Sequence, residues 1–282
     1  MQVDLCVFLS GENLDGYTPC FLETLYRNCD VSRLHVHVVA KGHYLCPNNG
    51  TPDYLKDLTL ENYVGVGDNI LQYLERKRSE SRVPFTIYNM PDPRPFFEDV
   101  NPGPARFGTG SDHASTLHWA MDNCGMNKYV IFCHSDIVFM KDIITPLTDL
   151  MHDNAGIKGV YNHCYIVNRD AFRRVGVRFN CVVNLMAVPT PDIDGFDYVL
   201  RHVNDPRCDK DAKRILGLDI GELVEFVMRS QGWDCDISGN HPLRGYVDHM
   251  CSGHGYVAQP EVVVHHKNRI DGWLRRYGVQ RL

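Results

Sequence analysis

Several features that would fix the class of this chain are missing from it. No apolar run approaches the roughly 18 residues needed to cross a bilayer as a helix, so no membrane-spanning segment is expected. Cationic residues are not in excess: 29 Lys and Arg stand against 35 Asp and Glu, a formal charge of -6. Sequence-independent binding to nucleic acid or to an anionic membrane relies on a basic surplus and is therefore not expected. No segment repeats, and none is of low complexity. The chain opens on VDLCVFL, too short and too acidic for a signal peptide, and a cytoplasmic protein is expected. The 11 cysteines are an odd number, and Cys6, Cys20, Cys133, Cys164 and Cys181 lie in apolar segments where cysteine acts as a small hydrophobe. Free thiols in a reducing compartment are the simpler account. Cys235, His249, Cys251 and His254 follow no standard zinc spacing.

What is present is a chain of 282 residues, 44% apolar and 23% charged, enough for one sizeable domain or two intimate ones. Val3 to Leu9 reads as a buried strand, Tyr17 to Asn28 as a helix and Leu34 to Ala40 as a second strand, which together make a right-handed βαβ unit and imply a parallel sheet. A helical pattern runs from Leu55 to Arg82, and Phe85 to Tyr88 reads as a third strand. The proline-rich stretch from Pro91 to Pro104 excludes helix, and loops of that length are usually functional. Ser111 is a fair N-cap for a helix that Gly125 ends. Before it lies Phe107-Gly108-Thr109-Gly110, either a backbone cradle for an anion or a flexible lead-in.

That helix leads to Tyr129-Val130-Ile131-Phe132-Cys133, an unbroken apolar run of the kind covered on both faces, followed by His134-Ser135-Asp136. A carboxylate at the end of a buried strand is costly without a partner or a metal, and in open α/β sheets the carboxyl ends of strands are where ligands sit. Further on come a strand from Cys164 to Val167, a cap at Asn168-Arg169-Asp170, a short helix closed by Gly176, a Pro- and Asp-rich loop from Val188, and a helix from Leu218 to Gly232. A strand is expected from Glu261 to Val264. Two more polar clusters stand out: Asp219 with Glu222 at a helix N-terminus, where acids also serve the dipole, and His265-His266 with Lys267 and Arg269.

Taken in order, these segments resemble the GT-A-fold nucleotide-sugar glycosyltransferases, family 2 in particular. GSDHASTLHWAMDNCGMNKYVIFCHSDIVF is similar to the family's passage from a helix into a strand ending in a D-x-D motif, with His134 in place of the first aspartate. HCYIVNRDAFRRVGVRF, LDIGELVEFVMRSQGW and VVVHHKNR resemble the acceptor-side strand and helix, the catalytic-base segment and the C-terminal histidine segment. The resemblance implies an α/β, Rossmann-like GT-A fold, a mostly parallel sheet flanked by helices with a smaller acceptor-side subregion. Residues 1–140 would form the donor half and 141–282 the acceptor and catalytic half of one domain.

It implies Mn²⁺ or Mg²⁺ held by Asp136, with His134, His265 and His266 as further ligands; imidazole favours Mn²⁺. It implies donor contacts at Ser10, Gly11, Glu12, Lys41, Gly110, Asp112, His113, His134, Ser135, Lys267 and Arg269, and a catalytic base at Asp219 or Glu222, Asp219 being preferred for an inverting transfer. The donor would be a nucleoside diphosphate sugar; the acceptor is open among glycan, lipid-linked sugar, protein and modified nucleic-acid base. A sugar nucleotidyltransferase would need a glycine-rich basic loop where Leu9-Ser10-Gly11-Glu12-Asn13 stands, and a degenerate binding domain is the non-enzymatic alternative.

Overall fold

The computed structural model describes residues 2–10, 14–44, 63–90, 109–161, 163–179, 208–209, 214–215, 220–238, 240–249 and 260–282. In chain order these form β1 (Val3–Ser10), α1 (Leu14–Asn28), β2 (Leu34–Lys41), β3 (His43–Tyr44), β4 (Tyr63–Val64), α2 (Asp68–Glu80), β5 (Phe85–Asn89), α3 (Thr109–Asn123), β6 (Tyr129–Cys133), β7 (Ile137–Phe139) and α4 (Ile144–Asp149). There follow β8 (Ala155–Val160), β9 (Cys164–Asn168), α5 (Arg169–Val175), β10 (Cys208–Asp209), β11 (Arg214–Ile215), α6 (Ile220–Ser230), β12 (Asp234–Asp236), a 3₁₀ turn over Pro242–Tyr246, β13 (Val247–His249) and α7 (Pro260–Tyr277).

Seven strands make one sheet in the order β12-β8-β9-β6-β1-β2-β5. All its pairings are parallel except those of β9, which runs antiparallel to β6 and to β8. The α/β class and mostly parallel sheet expected from the strand and helix pattern are what the chain builds. The sheet takes strands from both halves of the sequence.

Alternation along β1 shows how the layers are filled, since successive side chains point to opposite faces. Val3, Leu5, Val7 and Leu9 join a core with α1, α2, α4 and α7, whereas Cys6 and Phe8 join one with α3, α5 and α6. Helices thus cover both faces. Among the described residues no helix is long and apolar enough to cross a membrane.

Local signals place several boundaries. The Asn168 side chain accepts from the Ala171 N–H at 3.2 Å to cap α5, and Gly176 ends that helix in the left-handed conformation at φ 70°. Arg169 turns back beneath the end of α3, where its guanidinium donates to the Met121 carbonyl at 3.1 Å and to the Met126 carbonyl. The Met121 carbonyl belongs to the last turn of α3, where carbonyls lack intrahelical partners, and the Met126 carbonyl to the link that follows, so this buried cation fixes the passage from α3 into β6.

Three expectations need correction. Among the described residues the helical pattern expected from Leu55 to Arg82 gives a helix only over α2; Tyr63–Val64 is extended, Gly65 and Gly67 disfavour helix between them, and residues 55–62 lie outside the described residues. Ser111 lies inside α3, which begins at Thr109, and is not its N-cap. Glu261 to Val264 is not a strand but the first turns of α7, begun by Pro260, a residue suited to the first helical position. Ile270, Trp273 and Leu274 recur at helical spacing and are buried in the same core as α1. The expected loops from Pro91 to Pro104 and from Val188 onward lie outside the described residues.

Candidate functional site

Two strand pairings bring the site together. β6 and β9 pair antiparallel with Cys133 opposite Cys164, so the residues one step beyond, His134 and His163, also face each other; the His134 N–H donates to the His163 carbonyl at 3.0 Å. Chain reversal between β8 and β9 puts Tyr161 at φ 42°, with His163 N–H returning to the Val160 carbonyl at 3.0 Å. β7 and β13 form a separate antiparallel ribbon in which His249 stands opposite Ile137, the neighbour of Asp136. Histidines from two distant segments thereby meet the acid that ends β6.

Asp136 is buried, its Oδ1 3.2 Å from His249 Nε2 and 3.8 Å from His134 Nδ1. The two imidazole nitrogens face each other at 3.4 Å. The His163 ring stacks on His249 at 3.6 Å, and the His113 ring meets His134 edge-on at 4.9 Å while also touching Phe8. The other nitrogen of His134, Nε2, is buried without a hydrogen-bond partner among the described residues.

Burial, then the neighbouring His113, holds the His134 imidazole well below its usual range, against the pull of Asp136. His163 is pushed down to about 4, chiefly by burial and next by His249, with Asp136 again opposing. Both rings are therefore neutral at physiological pH, the form that offers a lone pair to a cation.

The triangle of Asp136 Oδ1, His134 Nδ1 and His249 Nε2 fits a metal ion by size. Ligand atoms about 2.1 Å from a cation lie about 3.0 Å apart when octahedral and about 3.4 Å apart when tetrahedral, and the edges here are 3.2, 3.4 and 3.8 Å. An acidic oxygen with two imidazoles suits Mn²⁺ or another transition metal better than Mg²⁺.

Other residues named from the sequence fall as follows. Ser10, the last residue of β1, is in register with Lys41, the buried last residue of β2, so both reach the carboxyl edge of the sheet. Gly110 and Asp112 lie in the first turn of α3. Ser135 is buried between His134 and Asp136. Glu222 is half-buried in the first turn of α6, whereas Gly11, Glu12 and Asp219 lie outside the described residues. Lys267 is exposed on α7. His265 and His266 are on the backbone of α7, and their side chains lie outside what is described. Arg269 is drawn to β13: it donates to the His249 carbonyl at 3.1 Å and pairs with Asp248 at 3.3 Å, while Trp273 Nε1 donates to the other Asp248 oxygen at 3.0 Å.

His163 and His249 were not among the expected site residues. Nothing local marks either one, because both owe their place to strand pairing. Cys235, grouped with His249 by composition, is buried under α6 in the second core, and Cys251 and His254 lie outside the described residues.

Several solved structures with a similar course of backbone are glycosyltransferases. Mouse xyloside xylosyltransferase 1, in its apo form, is 9% identical, with 84% of this chain and 85% of that one covered and a TM-score of 0.46. The galactosyltransferase LgtC, in complex with donor and acceptor sugar analogues, is 11% identical over 97% of this chain and 95% of that one, with a TM-score of 0.47. A mannosyltransferase of Pyrobaculum calidifontis, in complex with GDP-Man and Mn²⁺, is 11% identical over 78% of this chain and 55% of that one, with a TM-score of 0.41. No family model matches the chain, and no curated protein does.

Proposed function

We propose that this chain is a metal-dependent glycosyltransferase that moves a sugar from a nucleoside diphosphate sugar to an acceptor hydroxyl with inversion. The observation that carries the reading is the triangle of Asp136, His134 and His249 at the carboxyl end of β6. It stands where the resemblance puts the D-x-D motif, and where open α/β sheets take their ligands.

Asp136, His134 and His249 would hold the cation, and His163, stacked on His249, keeps that ring in place. Bound there, a divalent ion supplies positive charge to the leaving diphosphate. Ser10 and Lys41, at the ends of β1 and β2 on the same sheet edge, are taken as nucleotide contacts in this reading. Burial of Asp136 keeps water from competing for its lone pairs. Asp219 takes the acceptor proton as the hydroxyl attacks opposite the leaving group, Glu222 in the first turn of α6 being the alternative base.

The test is a thermal-shift titration with Mn²⁺ and UDP, GDP or other nucleoside diphosphates, followed by donor-sugar turnover. A nucleotide-dependent rise in Tm that needs Mn²⁺ and vanishes in Asp136→Asn is expected. Asp219→Asn should keep the shift and lose turnover. No metal-dependent shift with any nucleotide overturns the reading; a shift in wild type without turnover on any donor leaves a binding domain in place of an enzyme.

A further inference from the structure

A second set of ligand-type side chains lies at the opposite, N-terminal edge of the same sheet. Asp4 on β1 is fully buried, and two histidines of β2 face it. His37 Nε2 lies 2.9 Å and His35 Nδ1 3.8 Å from one oxygen, Asp4 Oδ1. The two imidazole rings are 3.9 Å apart. Each ring is held by its far nitrogen: His35 Nε2 by the Thr86 hydroxyl at 2.8 Å, and His37 Nδ1 by the Tyr88 hydroxyl at 3.2 Å, both from β5. Asp4 is fixed in turn by Asn127, whose backbone N–H donates to Oδ2 and whose side-chain amide donates to Oδ1 at 3.2 Å.

We propose that Asp4, His35 and His37 bind a divalent cation of the borderline-soft class, zinc fitting best, at a site separate from the Asp136 centre. Three features support this. Two imidazole nitrogens and one carboxylate oxygen converge from adjacent strands, a donor set that suits zinc and its neighbours and not Mg²⁺ or Ca²⁺. The outward nitrogens are tied to hydroxyls, the arrangement that orients histidine ligands and sets their tautomer. His35 is 26% exposed, which leaves a route for the ion and a position for water. Asp4 is in register with Val130, at the start of β6; Cys133 ends that strand about 10 Å further along, and Asp136 lies beyond it. The inference does not rest on the glycosyltransferase reading.

Its test uses the full chain freed of metal with a chelator and titrated with Zn²⁺ against a chromophoric competitor at pH 7.5. The first site is silenced by Asp136→Asn with His249→Gln. That background should bind one equivalent of Zn²⁺, and the Co²⁺ form should show visible d–d absorption. Adding His35→Gln, a partly exposed position, should weaken the remaining zinc at least about tenfold, and adding Thr86→Val about 10- to 100-fold, with the far-UV circular dichroism of both unchanged. A silenced background that binds no Zn²⁺ overturns the proposal. So does one whose zinc affinity is untouched by both His35→Gln and Thr86→Val, since Asp4 and His37 would then be only a buried hydrogen-bonded pair.

Discussion

Acid should loosen this fold through His163 in a way that a single substitution removes. The imidazole titrates near 4 in the folded chain against an ordinary 6.5. A folded pKa depressed below the unfolded one means that the unfolded chain takes up the proton first as pH falls. The contribution to stability is therefore complete above about pH 6.5, declines as pH drops and is fully lost near 4. At pH 5 the linkage amounts to about 2 kcal/mol, and because the ring is partly open to solvent, screening leaves between about 1 and 2 kcal/mol of it. His163→Phe keeps a ring to stack on His249 and abolishes the titration. Urea denaturation of the chelator-treated protein at pH 7.5 and 5.0 measures the effect. Wild type should lose about 1 to 2 kcal/mol more than the variant over that interval. His134, shifted the same way, remains in both proteins and cancels. An equal loss in the two proteins, or a larger one in His163→Phe, would show that burial and His249 do not hold the ring neutral.

Arg269→Met should weaken Mn²⁺ binding about 10- to 100-fold while leaving the fold intact, because the guanidinium secures the backbone of a ligand and not the ion itself; calorimetric titration of Mn²⁺ with and without nucleotide reads this, and unchanged affinity would return Arg269 to a surface role. Gly159 sits at φ 145°, where an added Cβ would come within 2.6 Å of the Cys164 carbonyl oxygen and the Tyr165 Cα. Gly159→Ala should therefore cost about 3 kcal/mol and displace the reversal that carries His163, seen as a lower urea midpoint together with a smaller pH dependence.

Much of the scaffold is legible because its signals are local. The apolar runs that become β1, β2, β5, β6 and β9 are short and bounded, and the Asn168 cap and Gly176 stop mark a helix by side-chain chemistry within a few residues. The reading fails where tertiary packing overrides local preference: Val262-Val263-Val264 resembles a strand, yet it lies in the first turns of a helix whose Ile270, Trp273 and Leu274 recur at helical spacing and are buried in the core that α1 joins. The site divides in the same way. His134 and Asp136 announce themselves as polar groups at the end of a buried strand. His249 and His163 have no such mark, since the β7–β13 and β6–β9 pairings that place them join residues remote in sequence.

The β7–β13 ribbon has a kinetic meaning as well. It closes a loop on the order of a hundred residues, whose entropy must be lost before the contact repays it, although each doubling of loop length adds only about 0.6 kcal/mol. Asp136 and His134 come from one continuous stretch and can be set as soon as β6 and β7 exist, whereas His249 arrives with β13. For the proposed metal centre, cation capture in a refolding experiment should therefore lag the burial of β1 and β6, since an intermediate that lacks β13 would offer Asp136 and His134 without His249.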